Sequence, residues 1–274
     1  MKRFAALSAL ACVLALTTAA PSSGVPQPAA TADRAAAAHH GSLLDAVPHR
    51  GTLRVCTTGD YRPFTYRDAA GHYSGVDVDM ARDLAASLDA KAVFTPTTWA
   101  DMVADLGAGR CDIAVGGVSV TLARARSVYF SEPLAEDGKT PIVRCTDKDK
   151  YRTLDQIDRP GVRVVVNPGG TNEQFARAHL KKATLIVHPD NTTIFEEIVQ
   201  GRADVMMTDA SETRYQAAVH PQLCSVHPDQ PFTFAEKAYA LPRGDEPFRH
   251  YVDQFVHLAT HDGTYQKYED QWMG

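Results

Sequence analysis

The chain has 274 residues and a formal net charge of −5, and side chains of both signs are interspersed along it. Because it has no basic stripe, we do not expect nucleic acid as a partner. Beyond the first twenty residues no segment offers eighteen uncharged apolar residues in succession, so we expect no stable membrane partner. The remaining length suits two medium-sized α/β lobes, each with its own core.

The N-terminal residues have the pattern of an export signal, predicted to span residues 1–20. Lys2 and Arg3 precede an apolar run from Phe4 to Leu16, and small residues then offer a cleavage zone. Residues 21–41 are mostly Ala, Pro and Ser, which bury too little apolar surface to fold, so we expect a flexible leader. The protein is therefore predicted to be exported, to the periplasm or the medium.

The cysteines suggest an oxidising compartment. Lipid attachment at Cys12 is disfavoured because no leucine-like residue stands three places before it. The four later cysteines allow three pairings. Cys56 and Cys111 lie in apolar, strand-like runs and are interpreted as two buried small hydrophobes. Cys145 and Cys224 flank strands in polar surroundings, and we predict a disulfide between them.

Apolar periodicity predicts a β-α-β-α-β pattern that occurs twice, which is typical of mostly parallel sheets covered by helices. The first pattern has strands at 53–56, 92–95 and 112–115, with helices that begin near 76 and 102. The second has strands at 162–166, 184–187 and 204–208, with helices at 171–180 and 194–199. A strand at 236–241 follows, and one face of a last helix carries Phe248, Tyr251, Val252, Phe255 and Leu258.

Two such patterns in succession indicate two hinged lobes. We assign residues 42–140 and 239–274 to lobe 1 and residues 141–238 to lobe 2, with crossings near Lys139–Val143 and Ala238–Leu241. In open α/β sheets ligands bind beyond the carboxyl ends of the strands. Three polar stretches follow strands at such ends and are expected to meet in a cleft, namely Thr57–Tyr61, Asn167–Glu173 and Met206–Glu212.

Several motifs of the mature chain resemble those of the type 3 periplasmic solute-binding proteins. They are Gly59–Phe64, Gly75–Met80, Trp99, Cys111–Ala114, Thr121–Arg124 and Tyr129–Pro133. Four stretches resemble the cyclohexadienyl dehydratases, an enzymatic branch of that family, namely Asp137–Pro141, Asn167–Glu173, His188–Asn191 and Met206–Ala210. The resemblance implies an α/β fold, a two-lobed periplasmic-binding-protein (type II) clamshell in which each lobe is a mostly parallel sheet flanked by helices.

The resemblance also implies a lyase reaction on a small-molecule substrate. Dehydratases of this kind convert prephenate to phenylpyruvate and L-arogenate to L-phenylalanine, with loss of carbon dioxide and water. Aromatisation drives the reaction, so the protein must supply a proton for the departing hydroxyl, a grip on the side-chain carboxylate and a dry cleft. This chemistry needs no cofactor, and the sequence has no His and Cys at metal-ligand spacing, so we predict neither cofactor nor metal.

Arg124 is the implied anchor for the substrate carboxylate, because solute-binding relatives use an arginine fork here and a guanidinium matches a carboxylate with two hydrogen bonds. The competing interpretation is a solvated surface arginine, as expected for Arg126. Hydrogen-bond donors beside the anchor are expected from Ser119, Thr121, Gly170 and Thr171, the last two at a helix start. Thr171 alternatively caps that helix in a capping box with Gln174.

The general acid implied by the resemblance is Glu212. A glutamic acid serves in this role near neutral pH when burial or a neighbouring carboxylate such as Asp209 raises its pKa. Asp209 is the position that holds the ligand's ammonium in amino-acid-binding relatives. The competing interpretation is that the two acids only form a capping box. Glu173 is the rival acid, but its place in the first turn of a helix favours an ionised carboxylate.

The remaining site residues follow from resemblance and chemistry. Lys139 and Asn167 are expected to hold the hydroxyl or the ring carboxylate, and Asp60 is expected to orient Lys139 by charge. Tyr61 and Trp99 are expected to wall the diene ring, with packing in the core as the competing interpretation.

Two functions of different classes follow from these residues. The first is an exported dehydratase, favoured by Glu212, Lys139 and Asn167 together. The alternative is an amino-acid-binding receptor of an ABC transporter, which would need only Arg124 and Asp209. A sensor domain is disfavoured because it requires a membrane segment.

Overall fold

The computed structural model describes residues 41–273. The predicted export signal, Cys12 and all but the last residue of the predicted leader lie outside the described residues. The strands are β1 Thr52–Thr57, β2 Asp60–Tyr61, β3 Thr65–Arg67, β4 Tyr73–Ser74, β5 Lys91–Pro96, β6 Ile113–Ala114, β7 Val128–Phe130, β8 Ala135–Asp137, β9 Lys139–Arg144, β10 Arg163–Val166, β11 Thr184–Val187, β12 Val205–Asp209, β13 Leu223–Ser225, β14 Ala235–Lys237 and β15 Ala240–Pro242. The α-helices are α1 Leu43–Arg50, α2 Val76–Ser87, α3 Met102–Gly107, α4 Leu122–Ala125, α5 Leu154–Ile157, α6 Thr171–His179, α7 Ile194–Val199, α8 Ala210–Val219, α9 Glu246–His261 and α10 Thr264–Met273.

The first five-stranded sheet has the order β5-β1-β6-β15-β7. Strands β1, β5 and β6 are parallel, as the first β-α-β-α-β pattern predicted, and β15 runs antiparallel to both of its neighbours. Helix α2 buries Met80 and Leu84 against this sheet, and Phe248 and Val252 of the C-terminal helix α9 join the same core. The end of the chain therefore packs in the first lobe.

The second five-stranded sheet has the order β11-β10-β12-β9-β13. Strands β10, β11 and β12 are parallel, and β9 runs antiparallel to both β12 and β13. Helices α6 and α7 contribute Phe175 and Ile198 to the cores on this sheet. Two α/β lobes with mixed sheets and flanking helices confirm the predicted fold class.

The chain crosses between the two sheets along a separate two-stranded ladder. Strands β8 and β14 pair antiparallel, with Glu136 opposite Glu236. The crossings predicted at 139–143 and 238–241 were placed too late in the chain, because most of those residues lie in β9 and β15. Strands of three residues are too short to show periodicity, so the sequence did not reveal β8, and β14 was merged with β15 in the strand predicted at 236–241. The lobe boundaries at 140/141 and 238/239 stay predictions.

Two disulfides are present, Cys56–Cys111 and Cys145–Cys224. The second is the predicted pair. Cys56 and Cys111 are buried, as interpreted, but they are not two separate side chains, because β1 and β6 are neighbours and bring the two sulfurs together in a disulfide. An apolar run shows that a cysteine is buried, but it does not show which strand lies beside it.

Helix α9 follows the predicted apolar face with one exception. Phe248 and Val252 are buried, whereas Leu258 is 61% exposed. The buried face continues instead through Val256 and Ala259. Within residues 41–273 no helix combines the length and apolarity that a membrane crossing requires.

Candidate functional site

The three polar stretches predicted to meet do so. The hydroxyl of Tyr61, just beyond β1, donates at 2.8 Å to Oδ2 of Asp209, the last residue of β12. Asn191, beyond β11, donates its side-chain N–H to the backbone oxygen of Asp60 at 2.9 Å. Gly169, beyond β10, lies so close to Ala100 that an added Cβ would stand 3.0 Å from the alanine methyl. These contacts join the two lobes around one cleft.

Asp209 lies between two lysines in this cleft. Lys139 Nζ is 2.6 Å from Asp209 Oδ1 and Lys237 Nζ is 2.6 Å from Oδ2, and all three side chains are buried. Burial alone would raise the pKa of Asp209, but the two ammonium groups outweigh it and hold that pKa below its usual value. The capping-box interpretation is wrong for Asp209, because its side chain makes no capping bond to α8.

Lys139 uses its ammonium group to bind the start of α6. Besides Asp209 it donates to Thr171 Oγ1 at 2.9 Å and to Asn172 Oδ1 at 2.5 Å. Burial lowers the pKa of Lys139. The predicted capping box of Thr171 and Gln174 is wrong, since Gly170 is the N-cap residue and no side chain caps the helix. The threonine hydroxyl faces the cleft lysine instead.

Glu212 lies in the first turn of α8, at the end of a chain of side-chain hydrogen bonds. Its Oε2 accepts from Thr208 Oγ1 at 2.5 Å. Thr208 Oγ1 in turn accepts from Asn172 Nδ2 at 2.9 Å, and the same amide nitrogen donates to Asn167 Oδ1 at 2.9 Å. This network fixes the carboxyl group of Glu212 relative to Asn167 and, through Asn172, to Lys139.

The environment of Glu212 favours its protonated form. The residue is 1% exposed. Burial is the main cause that raises the pKa of Glu212 to about 8, and the negative charges of Asp209 and Asp60 act in the same direction against the hydrogen bond from Thr208. A carboxyl group with this pKa carries its proton at neutral pH.

Glu173, the rival acid, has the opposite environment. Its carboxylate accepts from Gly169 N at 2.7 Å and from Arg177 Nε at 2.8 Å. The backbone N–H of Gly169 and then the guanidinium of Arg177 lower the pKa of Glu173. The carboxylate is therefore ionised and engaged at the helix start.

Arg124 lies on the short helix α4, half-buried, with Nη1 donating to the backbone oxygen of Ser119 at 2.9 Å. Its guanidinium carbon is 6.0 Å from the ring centre of Trp99. The Thr121 hydroxyl caps α4 by accepting from Arg124 N at 3.2 Å. Arg126, by contrast, is exposed. Arg124 thus points toward the cleft aromatics and differs from an ordinary surface arginine.

The aromatic side chains of the cleft pack on each other. Tyr61 meets Trp99 edge-on, with ring centres 5.4 Å apart, and stacks on Phe64 at 5.7 Å. The cleft closes tightly here, since the cavity that Tyr61 and Trp99 line measures about 10 Å³. Its lining consists of Tyr61, Trp99, Gly117, Ser119, Asn167, Gly170, Thr171, Asn172 and Asp209.

Asp60 does not orient Lys139, so that prediction was wrong. The half-buried carboxyl group lies beside Thr58 and Trp99, and burial raises its pKa. Within the described part of the chain, Thr58 Oγ1, Asp60 Oδ1 and Trp99 Nε1 are buried without a hydrogen-bond partner. Asp60 acts on the site through its charge, which raises the pKa of Glu212.

Three residues of the site were missed from the sequence. Asn172 and Thr208 lie inside the motifs Asn167–Glu173 and Met206–Glu212, but neither polar side chain had a distinguishing spacing. Lys237 lies in the segment predicted as a strand, where a single lysine normally faces solvent. Its contact with Asp209, and a further one to Ser119 Oγ at 3.1 Å, arise only from the folded chain.

No group of three or more His, Cys, Asp and Glu side chains arranged to hold a metal ion occurs in residues 41–273. The site that these residues form consists of an anchored arginine, a lysine pair on one carboxylate and a second, protonated carboxyl group. Such an arrangement suits binding of a small anion and transfer of a proton to it.

Known proteins resemble this chain in sequence and in structure. Residues 53–274 match the family described as "Bacterial extracellular solute-binding proteins, family 3". A cyclohexadienyl dehydratase of Pseudomonas aeruginosa is 56% identical over 232 residues, which cover 85% of this chain and 86% of that protein. A crystal structure of an ancestral cyclohexadienyl dehydratase shares 52% identity with a TM-score of 0.55, covering 85% of this chain and 97% of that one.

An ancestral amino acid-binding protein, described as a precursor of cyclohexadienyl dehydratase, shares 36% identity with a TM-score of 0.78 and covers 85% of this chain and 100% of its own. The match to the family extends over both lobes and the C-terminal helices. The chain therefore belongs to the family 3 bacterial extracellular solute-binding proteins.

Proposed function

We propose that this chain is a cyclohexadienyl dehydratase, a carbon–oxygen lyase that converts prephenate to phenylpyruvate and L-arogenate to L-phenylalanine. The observation that carries the proposal is Glu212, a buried carboxyl group whose pKa is raised to about 8 and which is joined through Thr208 to Asn172 of the cleft lining. A binding protein has no need of a neutral acid in this place. The relative of this name in Pseudomonas aeruginosa, 56% identical, supports the assignment.

In the proposed reaction Glu212 donates its proton to the ring hydroxyl as the C–O bond breaks. The ring carboxylate leaves as carbon dioxide, and the electron pair of the broken C–C bond enters the ring, which becomes aromatic. The prephenate dianion and one proton thus give the phenylpyruvate anion, carbon dioxide and water. Thr208 holds one oxygen of Glu212 at 2.5 Å, which orients the acid toward the substrate.

Substrate binding is proposed for the residues around this acid. Arg124 anchors the side-chain carboxylate with donors from Ser119 and from the start of α6. Asn167, tied to Asn172, holds the departing hydroxyl or the ring carboxylate. Tyr61 and Trp99 wall the diene ring and exclude water, which strengthens each polar interaction in the closed cleft.

We also propose that the protein works outside the cytoplasm. Its family consists of extracellular solute-binding proteins, the first twenty residues have the pattern of an export signal, and two disulfides require an oxidising compartment. The periplasm fits these features.

For the two lobes we propose that residues 42–140 and 239–274 form lobe 1 and that residues 141–238 form lobe 2.

The test is turnover of prephenate by the purified wild type, Glu212→Gln and Glu173→Gln, followed through the appearance of phenylpyruvate. We expect wild-type turnover at an enzymatic rate and a fall in kcat of about 10²- to 10⁴-fold in Glu212→Gln, the range that a general acid contributes. Glu173→Gln is the matched control, because it makes the same change in an ionised carboxylate at a helix start.

The control should retain kcat within about tenfold of the wild type, since Glu173 has no proton to give. Full activity of Glu212→Gln would exclude this residue as the acid. Tight binding of an amino acid without turnover of prephenate or L-arogenate would instead identify a transport receptor.

A further inference from the structure

Asp209 is the only acidic residue among the described residues that line the cleft cavity. A substrate ammonium entering the cavity would therefore be drawn to this carboxylate. Its two oxygens already accept three hydrogen bonds from the protein, from Lys139 Nζ and Lys237 Nζ at 2.6 Å each and from the Tyr61 hydroxyl at 2.8 Å. A carboxylate offers about four acceptor positions, so little capacity remains.

Both lysines are fixed in this arrangement. Lys139 directs its three N–H groups at Asp209, Thr171 and Asn172. Lys237 is 2% exposed in its side chain and approaches Asp137 at 3.7 Å in addition to Asp209. A ligand ammonium placed on Asp209 would lie close to two like charges in a water-poor site, where electrostatic repulsion is weakly screened.

A keto group meets no such obstacle. Its oxygen is a hydrogen-bond acceptor and carries no positive charge. Lys237 also donates to Ser119 Oγ at 3.1 Å, on the segment that leads to Arg124. The ammonium of Lys237 thus lies between the carboxylate that would attract an amino group and the segment that precedes the proposed carboxylate anchor.

We infer that Lys237 is a specificity-determining residue, which makes the cleft select a substrate with a keto group over its counterpart with an ammonium on the same carbon. The inference rests on the proposed function, within which prephenate and L-arogenate differ in this one group. Lys237 forms an ion pair with Asp209 and repels the ammonium of L-arogenate, so prephenate is the preferred substrate.

The test compares kcat/KM for prephenate and for L-arogenate in wild type, Lys237→Met and Lys237→Arg. We expect the wild type to favour prephenate by at least about tenfold, and Lys237→Met to lower that ratio by about tenfold, because one positive charge and one of the three hydrogen bonds to Asp209 are removed. Lys237→Arg keeps the cation and should keep the preference. Equal kcat/KM values in the wild type, or the same ratio in Lys237→Met, would overturn the inference.

Binding of the two products separates this inference from the proposed function. Phenylpyruvate and L-phenylalanine differ in the same group, and their affinities for the wild type can be measured by calorimetry without any turnover. If neither substrate reacts, the proposed function fails, while tighter binding of phenylpyruvate by about tenfold or more still supports selection by Lys237. Equal or reversed affinities contradict it, and this wild-type comparison holds even where Lys237→Met does not fold.

Discussion

Glu212 and Glu173 lie at the starts of two helices that face the same cleft, yet their carboxyl groups have opposite environments. Glu212 is buried under Thr208 beside the negative charge of Asp209, so its neutral form is favoured. Glu173 accepts from a backbone N–H and from Arg177, so its ionised form is favoured. Local position in a helix is the same for both, and the tertiary surroundings decide the protonation state.

The raised pKa of Glu212 has a consequence for stability. The pKa of Glu212 is about 8 in the folded protein, against the ordinary value of 4.5 expected in the unfolded chain. Between these pH values the unfolded chain binds fewer protons than the folded protein, so the free energy of unfolding falls as pH rises. Glu212→Gln has no such proton. We expect it to be more stable than wild type by up to about 3 kcal/mol at neutral pH, with no gain near pH 4, measured by urea unfolding.

In the same experiment we expect Glu173→Gln to change the free energy of unfolding in the opposite direction. Its folded pKa is lowered, so the carboxylate stabilises the fold above its usual pKa and loses that contribution as pH falls. The variant should be less stable than wild type at neutral pH. A Glu212→Gln protein with unchanged pH dependence of unfolding would show that the acid is not held neutral.

The residues recognised from the sequence are those whose place at a strand end is visible in a local pattern, such as Asn167 and Asp209. Lys237 and Thr208 were not recognised, because their role depends on what the fold places opposite them. Asp60 was assigned to the wrong partner for the same reason. Charge complementarity in a sequence does not indicate which of several lysines a carboxylate will meet.

At the scale of elements, the strand and helix pattern was predictable because apolar residues repeat with clear periods. Helix α2 and strands β1, β10 and β12 lie close to where periodicity placed them. The crossing strand β8 was missed, and the single strand predicted at 236–241 is divided into β14 and β15. Strand order was also hidden, and with it the Cys56–Cys111 pair, which requires β1 beside β6.

The two disulfides each close a long loop, with a sequence separation of 55 for Cys56–Cys111 and of 79 for Cys145–Cys224. We expect replacement of either pair by alanine to lower the free energy of unfolding by about 2–5 kcal/mol, because the unfolded chain gains conformational freedom. Guanidinium unfolding of the two double variants and of the wild type measures this.

The double variant of Cys145 and Cys224 is the cleaner of the two. Cys145 follows the end of β9, Cys224 lies within β13, and neither residue lines the cleft cavity. Unfolding midpoints equal to that of the wild type would mean that packing alone holds these strands.

At the scale of the whole described chain, the two lobes close around the cavity beside Trp99 and Asp209, which measures about 10 Å³, whereas ligand pockets usually measure about 300–1,000 Å³. A substrate therefore enters only when the lobes separate. The contacts that must break include Asn191 to Asp60 and the close approach of Gly169 to Ala100. Since the chain passes between the two sheets at the β8–β14 ladder, we expect the lobes to hinge there.

Gly169 is suited to closure for two reasons. Its φ of +76° lies in the left-handed region, and an added Cβ would stand 3.0 Å from the Ala100 methyl and 3.1 Å from its nitrogen. We expect Gly169→Ala to hold the lobes apart, with a larger radius of gyration by small-angle scattering and kcat/KM lower by at least about tenfold.

Gly201→Ala is the matched control. Gly201 has a similar φ of +69° but nothing within 4 Å of an added Cβ, so it tests backbone strain without the contact between lobes. Equal effects of the two substitutions on kcat/KM would assign the loss to strain alone. An unchanged scattering profile for Gly169→Ala would show that the glycine does not limit closure.

The carboxylate of Asp209 finds its counter-ions within the chain, in Lys139 and Lys237. In a receptor without such internal cations, the ligand itself must neutralise this charge, and the ion pair strengthens its binding. Here the incoming molecule gains nothing from that charge, so its residence should be short. For a carrier that would be a defect, whereas a catalyst must discharge each product before the next cycle begins.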